Sequence, residues 1–173
     1  MAAGRTYTPI ARTTLSAAAS TVTFSSISGS YTDLVLISQA GSTAGNNNLA
    51  ARLNSDTGSN YSITFLQGTG AAAASNRASN ESRITLGEKG DLDSTLGSVN
   101  IAHFMNYSNT TTYKTILSRA NNVGSSTSSP YGVSAVVNMW RNTAAITSIE
   151  LFAATGTTFI TGSTFTLYGI AAA

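Results

Sequence analysis

Leu34-Val35-Leu36-Ile37-Ser38-Gln39 decides the fold. Successive side chains of an extended chain point to opposite sides, so Leu34, Leu36 and Ser38 share one face while Val35, Ile37 and Gln39 share the other. Both faces are largely apolar, and the run predicts a strand buried on both sides. The same period of two recurs outward from it in both directions. Val22 and Phe24, then Leu49, Ala51 and Leu53, then Tyr61, Ile63 and Phe65 each mark one apolar face. Later in the chain the pattern continues with Ile101, His103, Met105 and Tyr107, with Tyr113, Thr115 and Leu117, and with Val133, Ala135, Val137 and Met139. Ile149 with Leu151 and Phe165 with Leu167 close the series. Turn-forming residues separate these runs, at Ser28-Gly29-Ser30, Asn46-Asn47-Asn48, Asp56-Thr57-Gly58, Gly87 to Gly90, Asn121-Asn122 and Gly156. Roughly eight to ten short antiparallel strands at this spacing predict an all-β sandwich or barrel.

A parallel fold with helical crossovers is disfavoured, because the only helix-friendly stretch, Ala71 to Ala78, is short and lacks an apolar stripe. The 173 residues fit one domain, 1–173. Residues 68–97 collect Gly, Ala, Ser, Asn and most of the acids and read as a long loop. Residues 1–14 read as an N-terminal arm in which Tyr7, Pro9, Ile10 and Arg12 contact a neighbouring subunit.

Charged residues make up only 9 % of the chain, where an ordinary domain carries roughly a quarter. Ser, Thr and Asn cover the surface instead. The net charge is +2, and the nine Lys and Arg are scattered, which argues against a nucleic-acid partner. No apolar run approaches the ~20 residues of a membrane span, no secretory signal opens the chain, and it reads as soluble. There is no cysteine, so neither disulfides nor thiolate metal sites contribute.

The candidate chemical sites are weak. Gly68-Thr69-Gly70 followed by Ala73 matches a relaxed dinucleotide fingerprint, but the residues after it lack the apolar face of a packed helix. His103 is the only histidine and alternates in phase with Ile101 and Met105, as a sheet residue does. Gly41 to Gly45 resembles a nucleophile elbow with Thr43 at its centre. Glu88, Asp91 and Asp93 are the only close acids, and a solvated loop would not raise a carboxyl pKa for acid catalysis. Asp91-x-Asp93-x-Thr95 and Asn54-x-Asp56-x-Gly58 offer oxygen ligands for a cation, yet neither completes a calcium loop. Four sequons, at Asn60, Asn80, Asn106 and Asn109, are expected by chance in so Asn-, Ser- and Thr-rich a chain. Tyr107, Tyr113, Tyr131 and Trp140 are the aromatic candidates for stacking on a sugar. No catalytic residue, cofactor or metal is therefore expected.

Three stretches carry a family likeness. They are Val22-Thr23-Phe24-Ser25-Ser26-Ile27 with Tyr31-Thr32-Asp33-Leu34, then Leu53-Asn54-Ser55-Asp56-Thr57-Gly58-Ser59-Asn60-Tyr61, then Trp140-Arg141-Asn142-Thr143 through to Phe165-Thr166-Leu167-Tyr168-Gly169-Ile170. In order and spacing they resemble jelly-roll structural proteins of tailed-bacteriophage particles, of the capsid-decoration or tail-fibre type. The resemblance implies a single jelly-roll sandwich, a place in the virion after assembly in the host cytoplasm, and no enzymatic activity. Decoration or cementing of the head is the leading expectation, with the major capsid protein as partner. A tail-fibre adhesin reading host glycan is the alternative. Few charges and two prolines leave the sheet edges unprotected, so sister copies are expected to cover them, most simply as a symmetric trimer.

Overall fold

The computed structural model describes residues 6–88, 91–122 and 132–171. Twelve strands and no helix lie among them: β1 (Tyr7–Thr14), β2 (Thr21–Phe24), β3 (Asp33–Ala40), β4 (Leu49–Leu53), β5 (Tyr61–Gly68), β6 (Ala73–Glu81), β7 (Ile84–Thr85), β8 (Ser98–Met105), β9 (Lys114–Asn122), β10 (Gly132–Trp140), β11 (Ile149–Ala153) and β12 (Thr164–Ile170). All pair antiparallel, in an eight-stranded sheet ordered β1-β12-β3-β8-β9-β10-β5-β6 and a four-stranded sheet ordered β2-β11-β4-β7. The pairs β1·β12, β2·β11, β3·β8 and β4·β7 are nested one inside the next along the chain. The two ends of an antiparallel ribbon thus wrap across both sheets, which is a jelly-roll sandwich. The hairpins β5–β6 and β9–β10 are added to it and widen one sheet only.

The core lies between the sheets, where Leu34 and Leu36 of β3 meet Leu49, Leu53 and Leu151 in one buried cluster. Phe165 packs on Phe159 with ring centres 4.9 Å apart. On β3 the other face is mixed, with Val35 buried but Ile37 and Gln39 exposed, so the strand is sealed on one side and half-sealed on the other.

Two segment readings change. Within residues 68–97, Ala73–Glu81 is a nine-residue strand zipped to β5 from Tyr61↔Glu81 to Gly68↔Ala73, and β7 pairs with β4. A run of small polar residues lacks an apolar alternation because its two sides are both exposed, and the periodic signal vanishes with it. Residues 7–14 are not a free arm but strand β1, paired with β12 from Tyr7↔Ile170 to Thr14↔Thr164 with a bulge at Ile10.

The phase of three adjacent strands is also reversed. Ile101 and Met105 on β8, Leu117 on β9, and Val133, Val137 and Met139 on β10 do not face the core. Their alternates do: Asn100, Ala102 and Phe104; Lys114, Ile116, Ser118 and Ala120; Ser134, Val136, Asn138 and Trp140. Three of the buried polar members, Asn138, Asn100 and Ser134, bond to the chain segment that crosses beneath them. Asn138 accepts from Thr85 N (3.1 Å) and donates to Thr85 O (2.8 Å), Asn100 donates to Leu86 O (2.7 Å), and Ser134 Oγ accepts from Glu88 N (3.1 Å). These side chains substitute for the strand neighbours that the short β7 lacks, which is why polar residues occupy the inside.

Candidate functional site

The reversal leaves an apolar surface outside. Register sets Val35, His103, Leu117, Val137 and Thr64 in one row across β3, β8, β9, β10 and β5, and Ile37, Ile101, Arg119, Ala135 and Leu66 in the next. Leu66 and Val133 are 62 % and 64 % exposed, and Met105, Leu117 and Val137 each keep about 40 % or more of their surface in solvent. A groove of about 610 Å³ runs over these rows, with Asp33, His103 and Arg119 as its ionisable members. Contiguous apolar patches of this kind mark contact surfaces in soluble proteins.

A second, polar pocket of about 430 Å³ lies between β5 and the loops flanking β4 and β11, lined by Asn46, Asn48, Phe65, Gln67, Arg83 and Glu88. Asn47 braces its wall by donating to Thr155 Oγ1 (2.6 Å) and Thr157 Oγ1 (2.7 Å). Asn48 donates to Glu88 Oε2 (3.0 Å).

The acidic trio does not converge. Glu88 lines that pocket, Asp93 accepts from its neighbour Ser94, and Asp91 is sealed inside at 2 % exposure, so it is not the solvated loop acid expected. Burial pushes the Asp91 carboxyl up to about 7, against the hydrogen bond it accepts from Leu49 N (2.9 Å), and the Glu88 charge adds to the rise. An acid of that strength has the protonation behaviour of a catalyst, but it lines neither the apolar groove nor the polar pocket.

The remaining motifs serve structure. Gly68-Thr69-Gly70 is the β5–β6 hairpin turn, closed by Thr69 N to Ala72 O (2.9 Å) and followed by a strand. At the would-be elbow, Ser42 N donates to Asp93 O (2.7 Å) and Thr43 shares a hydrogen bond with Thr158 (3.2 Å), pinning a connection between the sheets. Asn54 Oδ1 accepts from Thr147 N (2.8 Å) and Ser148 N (3.1 Å), and Asp56 accepts from Gly58 N (2.8 Å), so the suspected cation loop is spent on its own turns. Among the described residues no three His, Cys, Asp or Glu gather as a metal-binding group.

Of the aromatic candidates, Tyr107 and Trp140 are buried, Tyr113 is exposed, and Tyr131 lies outside the described residues. Tyr107 is withdrawn from solvent because its hydroxyl donates to Ser28 O and accepts from Tyr31 N, tying two loops together. Trp140 stacks on Tyr61, ring centres 6.3 Å apart. Tyr7 and Arg12 stand exposed on the β1 edge with Pro9, while Ile10 turns inward at the bulge and packs against the core. Tyr7 meets Tyr168 edge to face.

Fold and surface thus define a jelly-roll sandwich with one widened sheet whose outer side is apolar. The chain matches no protein-family model and no curated protein.

Proposed function

We infer that this chain is a non-enzymatic structural subunit of a tailed-phage particle, a head decoration or cement protein that acts by packing against other protein subunits. The observation that supports it is the reversed phase of β8, β9 and β10, which turns apolar residues outward and polar ones inward. Hydrophobic surface kept out of a core gains its stabilisation only when another protein removes it from water. Sister copies cover this face, and the β1 edge, bearing Tyr7 and Arg12, is left for the capsid lattice. The choice of particle rests on the resemblance of the Phe165 to Ile170 closing motif and its companions to virion jelly rolls.

Imaging of the intact virion tests the reading. Decoration predicts density at repeated lattice positions, on the order of hundreds of copies set by the head symmetry, with the eight-stranded sheet turned away from solvent. A few copies confined to the tail would identify the adhesin instead. A particle without this chain would refute both.

A further inference from the structure

We propose that the outer face of the eight-stranded sheet is closed by a second copy of this chain, packed face to face about a two-fold axis through His103. This rests on the assembly reading and names the occupant of the same face, as a two-fold pair in place of the trimer expected from the unprotected sheet edges.

Charge placement carries the argument. β8 lies between β3 and β9. Leu34 pairs with Phe104, so Asp33 stands level with Met105, and Arg119 pairs with Ile101. His103 is therefore midway between the two levels, on the strand midway between the two charges. It marks the midpoint of the line from Asp33 to Arg119. A two-fold axis in the plane between two such faces, through His103 and perpendicular to that line, sets Asp33 of each copy over Arg119 of the other. Self-complementarity of this kind is what a symmetric pair requires.

Arg119 has no acid paired with it among the described residues. It is exposed amid apolar neighbours, and the ion pair among the described residues is Arg52–Glu150 at 3.6 Å, on the other sheet. The same rotation brings Met105 close to Leu117 of the second copy, apolar on apolar. With a net charge of +2, each chain repels its copy only weakly.

The area is of the order such a pair needs. Five strands from β3 to β5, each about 4.8 Å wide and some 25 Å long, give a flat footprint of roughly 600 Å² before side-chain relief is counted. Stable complexes bury ~800 Å² per partner. Two sheets packed in this manner lie ~10 Å apart.

Light scattering on the full chain is expected to give twice the 17.7 kDa chain mass. Arg119→Asp should return the mass to that of one chain while the buried Trp140 keeps its native emission, and adding Asp33→Arg should restore the pair. Because Asp33 also accepts from Asn106 N and its replacement could unsettle the fold, cross-linking supplies an independent readout. In this cysteine-free chain His103→Cys, sitting on the axis, should be joined to its copy by a short bismaleimide spanning ~10 Å. Leu66→Cys, three strands away, should not.

A single-chain mass at every concentration overturns the pairing, as does a trimer, or a dimer that survives Arg119→Asp and fails to cross-link at 103. A monomer still found on the virion removes the pairing and leaves the assembly reading standing. A dimer missing from the virion does the reverse.

Discussion

The ring of Tyr31 lies directly against Gly169. A Cβ built on Gly169 would stand 2.3 Å from the ring, closer than any carbon can approach. The two residues belong to two of the sequence stretches that carry the family likeness, and Thr32 N donating to Ile170 O (2.9 Å) fastens them beside the ring. Gly169→Ala must therefore push the ring or the backbone aside, and overpacking of this kind typically costs about 1 to 3 kcal/mol. Urea unfolding of the variant should show that loss, and Tyr31→Ala in the same background should recover part of it.

Trp140 and Asp56 are joined in a comparable way. The indole N–H donates to Asp56 Oδ2 at 2.7 Å, and Asn60 and Gly58 donate to the same carboxylate. Burial alone raises the Asp56 carboxyl, but these hydrogen bonds outweigh it and hold its pKa below the ordinary 3.8. A depressed carboxyl contributes stability above its unfolded value and loses it as pH falls through the folded one. Asp56→Ala should cost about 2 to 3 kcal/mol at neutral pH, since it strands a buried indole N–H and removes a charged acceptor. Against wild type, that difference should shrink below the 3.8 of the free group, as thermal unfolding at pH 3 and pH 7 would show.

Asp91 has the opposite sign. Its folded pKa is raised from 3.8 to about 7, so the folded chain holds a proton that the unfolded chain releases between those values. The contribution of Asp91 to stability is greatest below 3.8, falls through the window from 3.8 to about 7, and is flat above it. The full difference corresponds to about 4 kcal/mol. Beside Asp91 lies Asn100, whose Nδ2 is engaged with Leu86 O while its buried Oδ1 has no donor. An amide at position 91 keeps the shape of the protonated acid and is neutral at every pH. Asp91→Asn is expected to abolish the decline and leave the variant more stable than wild type at pH 8. A decline that persists in the variant would assign it to other groups.

The sandwich was legible from alternation alone, because a period of two survives any choice of which face is inside. Phase was not. In β10 the apolar set Val133, Ala135, Val137 and Met139 outweighs Ser134, Val136, Asn138 and Trp140, and burial by hydrophobicity picks the wrong side. The one local sign was Trp140, a large aromatic in phase with the polar set. Its neighbours became intelligible only once Thr85 and Leu86 were seen to cross beneath Asn138 and Asn100. The outer face was hidden for the same reason, since its most apolar members are those that hydrophobicity alone would bury. Strand β6 and the burial of Asp91 were invisible because neither depends on an apolar pattern.

Adjacent residues on β8 separate the two roles. Phe104 is fully buried between the sheets, while Met105 is 44 % exposed on the outer face. Phe104→Ala opens a cavity and should cost about 3 to 5 kcal/mol at any protein concentration, because the loss lies within one chain. Met105→Ala at high dilution should change stability by no more than about 0.5 kcal/mol, as surface substitutions do. At higher concentration, where association stabilises the folded state by mass action, the same change should lower the unfolding midpoint by an amount that grows with concentration. Denaturation followed by the buried Trp140 at two protein concentrations distinguishes these cases. If Met105→Ala cost as much as Phe104→Ala at high dilution, the outer residue would belong to the core of a single chain, and the assignment of the two faces would be wrong.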